Sequence, residues 1–208
     1  MATTKSGDQL KLEAGRLCLD FANTLDWHAS EHPIEKLNTY ADLVAWSHRI
    51  GLLDERAAQR LNAQADQRPG LAADVLDKAH TLREAIYAIF VATSHGGTPE
   101  PGDVEAVNAA LAELFSRSRL VKSGGGFEWD WGGGEDDLDQ MLWWVLQSAV
   151  EVMTTDDLQR VGQCADDRGC GWLFFDTSKN RTRRWCDMRG CGNRAKARRH
   201  YVKVKNEE

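Results

Sequence analysis

Four of the five cysteines in this 208-residue chain fall between positions 164 and 191, as Cys164-x5-Cys170 and Cys186-x4-Cys191 with fifteen residues between the pairs. Two close pairs separated by such a gap match the layout of a four-thiolate zinc site, in which each short loop delivers two sulfurs to a tetrahedral ion. Gly171, directly after Cys170, frees the backbone to aim its amide at a ligand sulfur. Four thiolates leave no position open for a catalytic water, so the expected cofactor is one structural Zn2+. A module this small has little core of its own, and the metal supplies part of its folding energy. The chain opens without the apolar stretch of a secretory signal and has no run of eighteen apolar residues. A cytoplasmic location with no membrane span is therefore expected, and its reducing conditions favour metal over disulfide.

Charge is as uneven as cysteine. From Cys164 onward there are 12 Lys/Arg against 6 Asp/Glu, whereas the preceding residues hold 14 against 26. An acidic body thus carries a basic tail, the distribution of a nucleic-acid contact at one end. The candidate contacts are Lys179, Arg181, Arg183, Arg184 and Arg189, then Asn193, Arg194, Lys196, Arg198, Arg199 and Lys203. Arg184 and Arg194 are the foremost candidates for phosphate or guanine; Asn193 suits adenine unless it caps a helix, its expected role. Six such residues on phosphates would give a salt slope of roughly −5 on duplex DNA. The competing uses are charge compensation of the formal −2 on a zinc tetrathiolate and docking of the tail on the acidic body. Trp172 and Trp185 are expected in the core of the finger rather than on bases.

In the body, Asp20, Asn23 and Thr24 adjoin Leu17, Leu19, Phe21 and Leu25, a mixture able to line an apolar pocket and orient a small-molecule effector. Arg83 would pair with Asp20 or bind an anionic ligand. The favoured alternative is that Asp20 and Asn23 cap a helix and Arg83 makes an internal salt bridge. No nucleophile–base arrangement, open metal site or cofactor fingerprint is present, so an enzyme is not expected. His28 and His32 precede Pro33 and read as a surface turn, and Cys18 reads as buried.

The elements positioning these residues follow from periodicity. Helices are expected over about 40–50 and from Asp54, as N-cap, to about 66, closed by Pro69-Gly70. Residues 71–94 repeat apolar side chains at three and four, and Asp103 should cap a further helix. Residues 120–131 read as a hairpin turning at Gly124–Gly126, and 138–153 as a last body helix. Arg16–Phe21 fits strand or helix equally. In the tail, 171–176 and 182–185 read as paired strands, followed by a helix from about Arg194 to Lys203. The expected fold is α+β: a mainly helical N-terminal domain with a minor β element over 1–160, then a treble-clef-like zinc finger over 161–208.

The run Cys170-Gly-Trp-Leu-Phe-Phe-Asp-Thr-Ser-Lys-Asn-Arg-Thr-Arg-Arg-Trp-Cys-Asp-Met-Arg-Gly-Cys-Gly-Asn-Arg194 closely resembles the CGNR-type zinc finger, named for the residues standing here at 191–194. Arg16-Leu-Cys-Leu-Asp-Phe-Ala-Asn-Thr-Leu25 resembles the opening of the ABATE domain that precedes such fingers. The resemblance implies a DNA-binding transcription regulator of bacteria, linked to stress. One finger reads little sequence, which makes a homodimer an expected device for specificity. The alternative in another class is a protein-interaction module acting on the transcription or translation machinery.

Overall fold

The computed structural model describes residues 12–198 and Tyr201. Its longest element, α4 (Pro69–Ser94), buries Val75, Ala79, Leu82, Ile86, Ile89 and Phe90 along one face. Pro69 begins α4 rather than closing the preceding helix: its missing N–H and fixed φ suit the first helical position. Arg68 alone separates α4 from α3 (Glu55–Gln67), whose N-cap Asp54 accepts from Ala57 N at 2.7 Å, as expected. Ahead of it, α2 (Tyr40–Arg49) starts on a reciprocal capping box between Thr39 and Asp42.

The segment that fitted strand or helix is α1 (Leu17–Ala22), with Leu17, Cys18, Leu19, Phe21 and Ala22 all buried. Apolar on every side, it is enclosed on every side: it packs on α4, on α6 (Gln140–Met153) and on a strand of the finger. Cys18 is fully buried, and burial pushes its thiol up to about 12. A two-residue bridge pairs β1 (Leu25–Asp26) with β2 (Ile34–Glu35), returning the chain over the loop between them. After α5 (Pro101–Phe115), capped from Glu100 rather than Asp103, the expected hairpin forms from β3 (Ser118–Ser123) and β4 (Gly126–Trp131). Its base is fixed by Trp131 and by Trp143 of α6, whose indole donates to Ser118 Oγ at 2.6 Å. Toward the tip, Leu120, Phe127 and Trp129 stay exposed on one face. Among the described residues no helix is long and apolar enough to cross a membrane.

In the tail, the strand pairing differs from expectation. β6 (Leu173–Phe175) pairs antiparallel not with 182–185 but with β5 (Val161–Gln163), in the register Val161↔Phe175 and Gln163↔Leu173. Residues 182–185 are not strand. Asp176 turns the chain away instead, accepting from Ser178 N at 2.7 Å and Arg183 N at 2.9 Å, and Arg181 interrupts at φ +51°. Val161, Leu173 and Phe175 belong to the same apolar core as the helices. The α+β architecture is thus helical in the body, with a hairpin-and-helix finger built onto it.

Candidate metal centre and nucleic-acid interface

Cys164 and Cys170 lie in the turn of the β5–β6 hairpin; Cys186 and Cys191 flank the start of the last helix. This is the treble-clef arrangement, and it brings all four Sγ atoms within 4.8 Å of one another. Cys186 Sγ lies 3.7 Å from both Cys170 Sγ and Cys191 Sγ. A tetrahedral ion with Zn–S bonds of about 2.3 Å requires sulfurs about 3.8 Å apart, so the cluster has the size of a zinc tetrathiolate. Left to themselves, sulfurs this close resist ionising together. Hydrogen bonds from the Cys170 and Cys186 thiols hold Cys164 far below the ordinary thiol range, while donating to it holds those two above it. Burial, then the charge of its neighbours, pushes Cys191 up to about 12. Four thiolates this close need a cation, and Zn2+ supplies it.

The local chain is shaped for this purpose. Gly171 sits at φ +67°, a left-handed turn that glycine adopts without strain. Cys164 N donates to Trp172 O and Ala165 N to Arg184 O, both at 2.8 Å, tying the two knuckles together. Asp187, not Asn193, caps the second: its carboxylate accepts from Arg189 N and Gly190 N at the start of a π-helical turn, Met188–Gly192. Asn193 is already helical, in a helix covering 193–198 with Tyr201 also helical, so the expected cap is corrected by one turn. Trp27, Trp172 and Trp185 pack around the cysteines.

The cations divide by what already holds them. Arg183 is a correction to its expected role: Nε donates to Trp185 O at 2.9 Å, Nη1 to Phe175 O at 3.2 Å, and Nη2 to Cys186 O. With the ring of Phe174 beneath it, this guanidinium pins 175–186 rather than facing outward. Arg194 donates to Cys191 Sγ at 2.9 Å and pairs with the buried Asp166, which Arg168 also binds. Hydrogen bonding from Arg168 holds the Asp166 carboxyl well below the carboxylate range. Arg198 pairs with Asp167, and Arg181 donates to Gln159 Oε1 at 2.6 Å. Among the described residues, Lys179, Arg189 and Lys196 are exposed and make no side-chain hydrogen bond or salt bridge. Arg184 is exposed too and lies over the Trp185 ring. Arg199 and Lys203 lie outside the described residues.

Two family models match the chain. Residues 15–156 match ABATE, described as "Putative stress-induced transcription regulator", and residues 160–203 match the CGNR zinc finger. The chain belongs to the ABATE family. No curated protein matched it. With the ABATE and CGNR regions in this order, and the four cysteines clustered in the second, the protein is a zinc-binding member whose zinc is held by Cys164, Cys170, Cys186 and Cys191.

The ABATE region and the CGNR finger share a polar seam that spacing did not reveal. Asn23 clamps β6, accepting from Leu173 N at 2.8 Å and donating to Leu173 O at 2.9 Å. Tyr87 Oη donates to Gly171 O at 3.0 Å, and Trp172 Nε1 to Asp26 at 2.7 Å. Trp27, at φ +54°, packs its indole among the cysteines beneath Arg168 and Arg194. Of the three residues read as ligand contacts, Arg83 is the salt bridge of the favoured alternative. Its partners are Glu35, gripped bidentately at 2.7 and 2.6 Å, and Glu84, rather than Asp20. Asp20 instead accepts from Glu13 N and Ala14 N at 2.8 and 2.9 Å, although it and Asn23 also line one cavity.

Proposed function

We propose that this zinc-containing regulator binds DNA through the CGNR finger and that the ABATE region couples a sensed signal to that binding. The observation carrying this reading is the exposed set Lys179, Arg184, Arg189 and Lys196, cations that form no salt bridge among the described residues. Charge compensation of the tetrathiolate accounts for Arg194, and ion pairing within the finger for Arg198. Neither use accounts for the four. Coupling is supported by the seam at Asn23, Asp26, Trp27 and Tyr87, because a change in the ABATE region there bears directly on the zinc knuckle.

The test is duplex binding by the zinc-loaded chain as a function of salt. Four phosphate contacts give a slope of about −3.6 in log K against log salt. Replacing the four cations with alanine should flatten the slope while zinc stays at one per chain. Retention of a nuclease-resistant protein partner by a chain that binds duplexes no better than its zinc-stripped form would establish the protein-interaction alternative instead.

A further inference from the structure

A cavity of about 390 Å3 opens at the junction of the ABATE region and the finger, beside α1 and α2. Pockets of 300 Å3 and more hold small organic ligands. The residues lining it include Trp46, Trp172 and the four charged residues Glu13, Asp20, Lys36 and Arg49. The charges sum to zero, yet they are not all paired with one another. Lys36 is taken by Asp26 at 2.9 Å and lies over the Trp172 ring. Arg49 makes no hydrogen bond or salt bridge among the described residues. Asp20 keeps acceptor capacity beyond the one backbone N–H on each oxygen. Burial pushes its carboxyl up to about 6, although the Arg49 guanidinium lies near enough to draw it down in part.

We infer that this cavity binds a zwitterionic amino acid with an apolar side chain, its carboxylate on Arg49, its ammonium at Asp20 and Glu13, and its side chain between the indoles. Glu13 and Arg49 are exposed at the cavity mouth, so the lining offers a guanidinium to a guest's anionic end and carboxylates to its cationic end, which matches a molecule carrying both charges. The indoles supply apolar area where the side chain must lie. This inference rests on the sensing half of the proposed function and names its ligand class. The route to the finger is short. Trp172 lines the cavity, donates its N–H to Asp26 and accepts from Cys164 N, so a guest against it meets a zinc ligand one hydrogen bond away.

The experiment is calorimetric titration of the zinc-loaded full chain with the twenty amino acids. For each one that binds, the decarboxylated amine and the deaminated acid are titrated too. At least one apolar amino acid should bind saturably and change tryptophan fluorescence, and each single-charge analogue should bind at least ten-fold more weakly. Arg49→Ala and Asp20→Asn should each lower its affinity at least ten-fold, with zinc content and the helical circular dichroism spectrum checked in both. Silence of the whole panel at millimolar concentration overturns the inference; so does equal binding by an analogue or by well-folded variants. No DNA is present, so the DNA reading stands or falls separately. An amino acid that binds and leaves duplex affinity unchanged would refute the coupling while keeping the site.

Discussion

Gly171 stands at φ +67°, and a Cβ there would lie 2.6 Å from Ala29 N and 2.9 Å from Tyr87 Oη. One of these is backbone and the other a half-buried tyrosine hydroxyl held by Gly171 O and Gln163, so neither yields cheaply. Gly171→Ala should therefore destabilise the chain by about 1–3 kcal/mol through overpacking and left-handed strain, read as a lower urea midpoint. An unchanged midpoint would show that the knuckle is not seated on Ala29. Arg194 acts differently, through Cys191 Sγ at 2.9 Å and Asp166 at 3.3 Å. Removing a hydrogen-bond donor to a metal ligand lowers metal affinity by about 10–100-fold. Arg194→Ala should show that loss in chelator competition, with the folded spectrum retained at saturating zinc. For this reason Arg184 is the better probe of nucleic-acid contact, since its side chain makes no hydrogen bond to a cysteine among the described residues.

The elements are held by pairs that periodicity does not display. β2 meets α4 through Glu35 and Arg83, whose side chain is 4% exposed. Breaking such a pair from one side costs about 3–5 kcal/mol, and Arg83→Met should show it in urea unfolding. Burial raises the Glu35 carboxyl, but the hydrogen bonds from Arg83 outweigh burial and hold it below its ordinary value. The pair's stabilisation is therefore present above the unfolded value of about 4.3 and is lost as pH falls through the lower folded one. In Arg83→Met that acid-side loss should disappear; an unchanged pH profile would assign it to another group. The helices and the β3–β4 hairpin were legible because apolar spacing and glycine punctuation mark them over long runs. So were the four zinc ligands, which spacing alone brings together. The β5–β6 pairing was not: three-residue strands carry too little alternation, and Thr182–Trp185 has strand composition but is bent by Asp176 and Arg183. The seam was invisible as well, because Asn23 and Leu173 lie 150 residues apart.

Across the whole molecule the finger divides into two layers. Its hairpin contributes Val161, Leu173 and Phe175 to the common core, whereas the cysteines form a separate cluster with Trp27, Trp172 and Trp185. Stripping zinc and cutting the chain at residue 160 should consequently differ. Chelation should shift tryptophan fluorescence and lower the melting temperature while most helical signal remains. Truncation opens the core around α1 and should abolish the cooperative transition; a sharp melt in the truncated chain would mean the core closes without the hairpin. The same hairpin has a consequence in time. β6, which α1 packs against, is synthesised about 150 residues after it. At about 5–20 residues per second, that interval lasts on the order of 8–30 s. Throughout it the apolar side of α1 that β6 will cover lacks its native neighbour on the nascent chain. That side of α1 stays uncovered until β6 emerges, and a ribosome stalled near residue 160 should leave a protease-sensitive chain.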